Sequence, residues 1–277
     1  MNRLSRKAWL LAALVLWSGL AVAQPLPISI GITGNVATVR VGNVSSPLAD
    51  VILTFDDAVG LTPAALGVSA QLVDINSAAM TSRLPNASLV KLTSGLPVMV
   101  TIEPPRTGGL IQRRVTHVEV HTHALAYTPG STFRLFKAQL GGTFRDITGE
   151  VAPGSVRTRG TTPGWSQFIV VADLRPSANA ILAKYSYLRT QAAVLPDAEK
   201  GPLLALLDAS EGALGDGDFA TAAAKLEEFR ALVSAHAGTS IPDVWKATRD
   251  VTNTAGELLA GADTLAFSIG YLRDFGH

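Results

Sequence analysis

The sequence contains no cysteine. A chain without thiols has no disulfide framework, no thiolate nucleophile and no lipobox cysteine for a lipid anchor, so packing alone must hold its fold. Charge is sparse as well: Asp, Glu, Lys and Arg make up 16% of the residues against 47% hydrophobic, which excludes a disordered chain. At 277 residues the chain can bury a sizeable core and form one large or two modest domains. No sign of charge dominates. The formal balance is +1, far from that of a nucleic-acid binder, so nucleic acid is not an expected partner. Long apolar runs are also missing, and the longest, residues 8–20, falls short of the roughly 20 residues that cross a bilayer.

That run is preceded by Arg3, Arg6 and Lys7 and followed by Ala21-Val22-Ala23, the three-part pattern of a cleaved export signal. Residues 1–23 are therefore expected to be a signal peptide, cut between Ala23 and Gln24, which places the mature chain in the periplasm or outside the cell with no transmembrane segment. No second arginine accompanies Arg6, which favours the general secretory route over the twin-arginine one. Losing three basic residues leaves 20 against 22 acidic, a net of −2, divided as +3 before Pro176 and −5 after it.

Between residues 27 and 175 the pattern is short β-rich runs separated by Gly, Pro, Asn and Ser clusters. Strands are predicted at 28–33, 37–41, 50–55, 68–73, 88–92, 98–103, 115–123, 133–138, 143–148 and 167–173. A single helical turn is expected at 61–66, started by Thr62-Pro63. Strands this short, without intervening amphipathic helices, predict an antiparallel, immunoglobulin-like β-sandwich over residues 24–175. Beyond Pro176 the period changes from 2 to 3.6. Ile181, Tyr185, Leu188, Ala192 and Leu195 form one stripe, which Pro196 stops. A second helix is expected after Gly201-Pro202, and a third from the N-cap Asp218 with Ala222, Leu226, Phe229 and Val233 on its stripe. The fourth is predicted to start at Ser240 and to carry Val244, Ala247, Val251, Ala255, Leu258, Ala262, Leu265 and Ile269. Four such helices predict an all-α C-terminal helical bundle over residues 176–277.

Two stretches resemble known families. The string LFKAQLGGTFRDIT, followed by VRTRGTTPGWSQFIVVADLRP, is similar to a group of exported bacterial proteins known only as uncharacterised, and so implies no activity. Downstream, LLALLDASEGALGDGDFATAAAKLEEFRALVSAHAGTSI resembles the small helical accessory module called FIMAH over about sixty residues, 203–261. Such modules accompany catalytic or adhesive domains of exported proteins and carry no catalytic residues. The likeness rests on apolar spacing, and the helix before it and the long helix after it depart from the pattern.

Chemistry concentrates in residues 113–151. On the strand predicted at 115–123, His117, Glu119, His121 and His123 project to one face and Val118, Val120 and Thr122 to the other. Residues two apart on a strand lie about 6.5 Å apart, so His121 and His123 can share one zinc, with His117 or Glu119 as a third ligand and water as the fourth. The four together span about 20 Å and cannot all reach one ion. The plainer reading is the solvated face of an amphipathic strand. Arginines form a second concentration, Arg106, Arg113, Arg114, Arg134, Arg145, Arg157 and Arg159. Of these, Arg113, Arg114 and Arg134 are a candidate patch for an anionic glycan, a lipid headgroup or a partner's carboxylates, against the competing role of charge on strand edges.

Other motifs carry less. Asp216-Gly217-Asp218 lacks the oxygen ligands of a calcium loop and reads as a turn with an N-cap. Asp56 and Asp57 are adjacent on a strand and point to opposite faces. Gly164-Trp165-Ser166-Gln167 lacks the second glycine of a nucleophile elbow, and Trp165 and Phe168 read as core. The expected function is that of an exported, non-enzymatic envelope protein that binds protein or glycan and needs no cofactor. The alternative is a zinc-binding protein, conceivably a hydrolase, built on the strand histidines.

Overall fold

The computed structural model describes residues 24–276; the expected signal peptide, residues 1–23, lies outside them. In chain order the first strands are β1 (Gln24–Leu26), β2 (Ile28–Thr33), β3 (Val36–Asn43), β4 (Ser46–Val59), β5 (Val68–Leu72), β6 (Val90–Leu92) and β7 (Val98–Ile102). They are followed by β8 (Ile111–Thr122), β9 (Phe133–Ala138), β10 (Arg145–Asp146), β11 (Thr148–Ala152), β12 (Val156–Thr162), β13 (Gln167–Asp173) and, far downstream, β14 (Val244–Lys246). Two short helices interrupt the strands, α1 (Pro63–Leu66) and α2 (Ala78–Thr81). Four long ones follow, α3 (Ser177–Ala193), α4 (Asp197–Gly215), α5 (Phe219–His236) and α6 (Thr254–Phe275).

Among the described residues the strands form two antiparallel sheets of seven. The first has the order β1-β5-β7-β13-β9-β10, with β6 also on β13; the second has β11-β12-β8-β4-β3-β2, with β14 also on β8. Period-2 alternation places Val39, Val51, Leu53, Val118 and Val120 of the second sheet against Val100, Ile102, Leu135, Phe168 and Val170 of the first, in one buried cluster. Trp165 joins it, its ring 5.4 Å from Phe55 and 6.4 Å from Phe168. The first sheet is buried on its other face too, where Met99, Phe136, Ile169 and Val171 meet Met80 and Leu84. That explains why β13 reads QFIVVAD, almost continuously apolar, where a half-exposed strand would alternate.

The lateral edges are closed by strands that change sheet. β1 and β2 are separated only by Pro27, and β10 and β11 only by Ile147, yet each pair divides between the two sheets. The run predicted as one strand at 143–148 is therefore two half-strands hinged at Ile147. Arriving from the opposite side, β12 passes so close to this hinge that a Cβ on Gly160 would lie 2.1 Å from the Ile147 carbonyl oxygen. β12 itself was not among the predicted strands. Its inward residues are Val156, Thr158, Gly160 and Thr162, too polar to give an apolar period.

The expectation of an immunoglobulin-like sandwich followed by an all-α bundle is corrected in both parts. The sheets hold seven strands each, more than the seven to nine in total of that fold. The chain after Pro176 is not all helical either, because β14 pairs with β8 through Val244–Arg113, Trp245–Gln112 and Lys246–Ile111. The fourth helix, expected from Ser240, begins at Thr254 under the cap of Asn253, whose Oδ1 accepts from Gly256 N at 2.8 Å. Helical periodicity at 244–251 is overridden by the unpaired half of β8, by Trp245 settling on Gly164 and by Arg249, held at φ 58°. The start of α4 also moves. It lies at Asp197, and Pro202 stands inside the helix, where its missing N–H leaves only the exposed first-turn carbonyl of Ala198 without a helical donor.

Other local expectations agree with the structure. Thr62 caps α1, accepting from Ala65 N at 3.1 Å, and Asp218 caps α5, accepting from Thr221 N at 3.0 Å. Ile181, Tyr185, Leu207, Leu226, Phe229, Leu258 and Leu265 bury together as one cluster of α3 to α6. Unlike the other three, α6 buries more than one stripe, since Thr254, Gly256, Thr264, Ser268 and Tyr271 are buried as well. Its second side docks on β8, β11 and β12, which makes it the hinge pin between sheet and helices.

Candidate functional site

The stretch singled out by its histidines lies on the outer face of the second sheet. Register places Thr54, His117 and Thr161 in one cross-strand row, Ile52, Glu119, Arg159 and Glu150 in the next, and Asp50, His121 and Arg157 in a third. Facing side chains in such rows sit about 4.5–5.5 Å apart at Cβ, so opposite charges meet. Glu119 is held by Arg159 at 2.5 Å and Arg157 at 3.5 Å, and Arg159 also reaches Glu150 at 2.7 Å.

Where α6 crosses this face, a groove opens. Its floor is made by the first two rows and its wall by Asp263, Ala266 and Phe267 of α6 with Arg230 of α5, enclosing about 480 Å³, within the roughly 300–1,000 Å³ of typical ligand sites. A second recess of about 270 Å³ contains Asp56 and Arg114 and shares His117, Arg230 and Asp263 with the first, so the two join along those three residues. Asp263 is gripped from both sides. Thr161 donates to its Oδ2 at 3.2 Å, and Arg230 Nε stands 3.0 Å from its Oδ1. That Nε has no aligned acceptor among the described residues, so the contact is electrostatic and not a hydrogen bond. Burial pushes the Asp263 carboxyl above the usual range, opposed by Arg230 and Thr161.

The candidate zinc ligands are not drawn to one point. His117 Nε2 lies 3.2 Å from Asp56, on the groove side. His121 Nε2 is hydrogen-bonded to Ser155 Oγ at 2.8 Å, and its ring packs on that of His123 at 4.7 Å. Four residues of strand, about 13 Å, separate His117 from His121, and Glu119 is engaged by two guanidinium groups. Among the described residues, no group of three or more His, Cys, Asp and Glu is placed to hold a metal ion. Burial, then Arg157 and His123, hold the His121 imidazole below its ordinary pKa.

The three patch arginines are likewise dispersed. Arg113 pairs with Asp57 at 2.8 Å, and Arg114, at φ 58°, donates its backbone N–H to Asp243 Oδ1 at 3.0 Å. Arg134 belongs to the other sheet, where it is buried 4.2 Å above the Tyr271 ring and donates to the carbonyls of Ser131 and Phe133. The polar groove residues missed in the sequence include Thr161, on the unpredicted β12, and Arg230 and Asp263, because helical charges read as a solvated face. One signal was available: Asp263 is the single charged residue between Leu258 and Leu272.

Fold and groove together define a class of protein, a two-sheet β architecture with a docked helical layer and a side-chain-lined cleft at their junction. The chain belongs to the family of unknown function DUF6689, whose model matches residues 11–273. This match runs through sheets and helices as one unit, and agrees with the resemblance of the LFKAQLGGTFRDIT region to an uncharacterised family. Nothing among curated proteins and nothing among solved structures matches the chain.

Proposed function

We propose that this is an exported, non-enzymatic binding protein of the bacterial envelope and that its ligand lies in the groove between the second sheet and α6. The carrying observation is the cleft of about 480 Å³ whose polar groups, Glu119, Arg159, Thr161, Arg230 and Asp263, converge from two sheet rows and two helices. Its charged groups are bound to one another rather than poised as a nucleophile with a base, which favours holding a ligand over transforming it. Export is supported by the basic, apolar and small-residue segments of residues 1–23. Among the described residues no helix is long and apolar enough to cross a membrane. The likeness of α4 and α5 to a FIMAH module supports an accessory, non-catalytic role for that part.

Ala266→Trp fills the groove from its helical wall and tests the reading. Immobilised wild-type protein should retain a component of the envelope fraction that the variant loses, with both proteins melting alike; equal retention by the two would sink the assignment. For export, the N-terminal sequence of the purified native protein should begin at Gln24, whereas a cytosolic pool retaining residues 1–23 would refute it.

A further inference from the structure

We infer that the ligand of this groove is a short, uncharged oligosaccharide. The inference rests on the proposed groove and narrows it to one chemistry.

The electrostatics come first. Glu119 pairs with Arg159 and Arg157, Glu150 shares Arg159, and Asp263 faces Arg230, whose Nη1 also holds Glu227. A ligand with a formal charge would have to break one of these pairs and leave a carboxylate or a guanidinium desolvated without its partner, which is costly. A vicinal diol does not. It accepts from a guanidinium N–H and donates to the neighbouring carboxylate oxygen while the pair stays intact.

Backbone pairing argues against a peptide. The floor strands β4, β8 and β12 are each paired on both sides, with β3 and β8, β4 and β12, and β8 and β11 respectively. The floor therefore offers no row of free N–H and C=O groups onto which an extended peptide adds as a strand. Recognition here has to run through side chains, and a sugar presents several hydroxyls per residue to meet them.

The remaining surface suits the other side of a sugar ring. Ile52 and Ala266 line the groove beside the Phe267 ring, and that ring already carries the Arg134 guanidinium 5.1 Å from its centroid. Apolar patches next to paired polar groups match a pyranose, whose C–H face is apolar and whose rim is polar.

The test uses the mature full-length protein titrated calorimetrically with maltotriose, cellotriose and the trimer of N-acetylglucosamine, with a heparin-derived tetrasaccharide as the charged probe. The His117 ring resonances are followed in parallel. At least one neutral trisaccharide should bind and shift His117, with affinity changing less than about twofold when salt is raised about tenfold. Glu119→Gln and Phe267→Ala should each weaken it about tenfold or more, while Lys225→Gln, on the exposed face of α5, should not. Arg230→Gln serves as the wall variant should Glu119→Gln disturb the sheet. Salt-sensitive binding of the heparin fragment alone overturns the inference and leaves the groove as the ligand site. Neutral binding that ignores all three groove variants overturns it as well. If no saccharide binds, the inference fails, and the Ala266→Trp retention experiment decides separately on the groove.

Discussion

Lys137 reaches from β9 to β12 as a cation only 3% exposed, its ammonium donating to Thr162 Oγ1 at 2.6 Å. Burial pushes its pKa from 10.5 down to about 8, although Glu257 pulls the other way. The unfolded chain keeps this proton up to about pH 10.4. Below about pH 8 the fold thus carries the whole penalty of a buried charge, on the order of 3 kcal/mol, and the penalty is relieved as pH rises from about 8 toward 10. Tyr187 opposes the trend above about pH 10, since burial raises its phenol and only the unfolded chain ionises there. The urea midpoint should therefore rise between about pH 7 and pH 9.5, and Lys137→Met should flatten the rise. A wild-type midpoint that stays level would show that the ammonium is not penalised.

Asp146 is the opposite case. Burial alone would raise its carboxyl, but the Lys184 ammonium at 2.6 Å and the Thr148 hydroxyl hold it below the usual range. Asp146→Asn removes the counter-charge of Lys184, whose other acceptors are the neutral Thr264 O and Ser268 Oγ, and should cost about 3–5 kcal/mol in urea unfolding; less than about 1 kcal/mol would mean that water reaches the ammonium. For the strand histidines, a zinc titration of the mature protein should show nothing tighter than about micromolar, against the far tighter binding of structural zinc sites. Tight binding lost in His121→Ala would instead restore the metal alternative.

Among the elements, α6 is the one whose sequence says least of what it does. Its stripe toward α3 and α5 was legible as Leu258, Ala262, Leu265 and Ile269. Its second face, Gly256, Thr264 and Ser268, is small and polar and looks like a solvent side until the sheet is laid against it. Gly256 makes that approach possible, since a Cβ there would lie 2.6 Å from Pro163 Cβ and 2.8 Å from the Asn253 side chain. Gly256→Ala should therefore destabilise by about 1–3 kcal/mol despite its better helix propensity. A gain in stability would mean that α6 docks more loosely than described. β8 was legible because its two faces differ in polarity. β14 was not, because three residues paired to a distant strand leave no local period, and β12 hid behind threonines.

At the scale of the whole molecule, the sheets and the helices are joined by directed polar contacts as well as by packing. Arg145 pairs with Glu257 at 2.8 Å and lies 4.3 Å over the Tyr187 ring, and Asn253 Nδ2 donates to the Arg114 carbonyl at 2.6 Å. These couplings should make thermal unfolding a single transition, with far-UV and near-UV signals coincident. Two separated transitions would mean that sheet and helices melt independently.

The pairing of β14 with β8 also bears on the order in which the chain acquires its structure. Arg114 and Asp243, which bond at the mouth of this pairing, lie 129 residues apart, so closing it means ordering a very long loop. A chain threaded N-terminus first presents β8 long before its last partner exists. The unsatisfied half of that strand is then an adhesive edge waiting for the C-terminal quarter of the sequence. The slowest folding phase should accordingly belong to the capture of residues 244–246, with the nascent chain most prone to stick to its neighbours just before it.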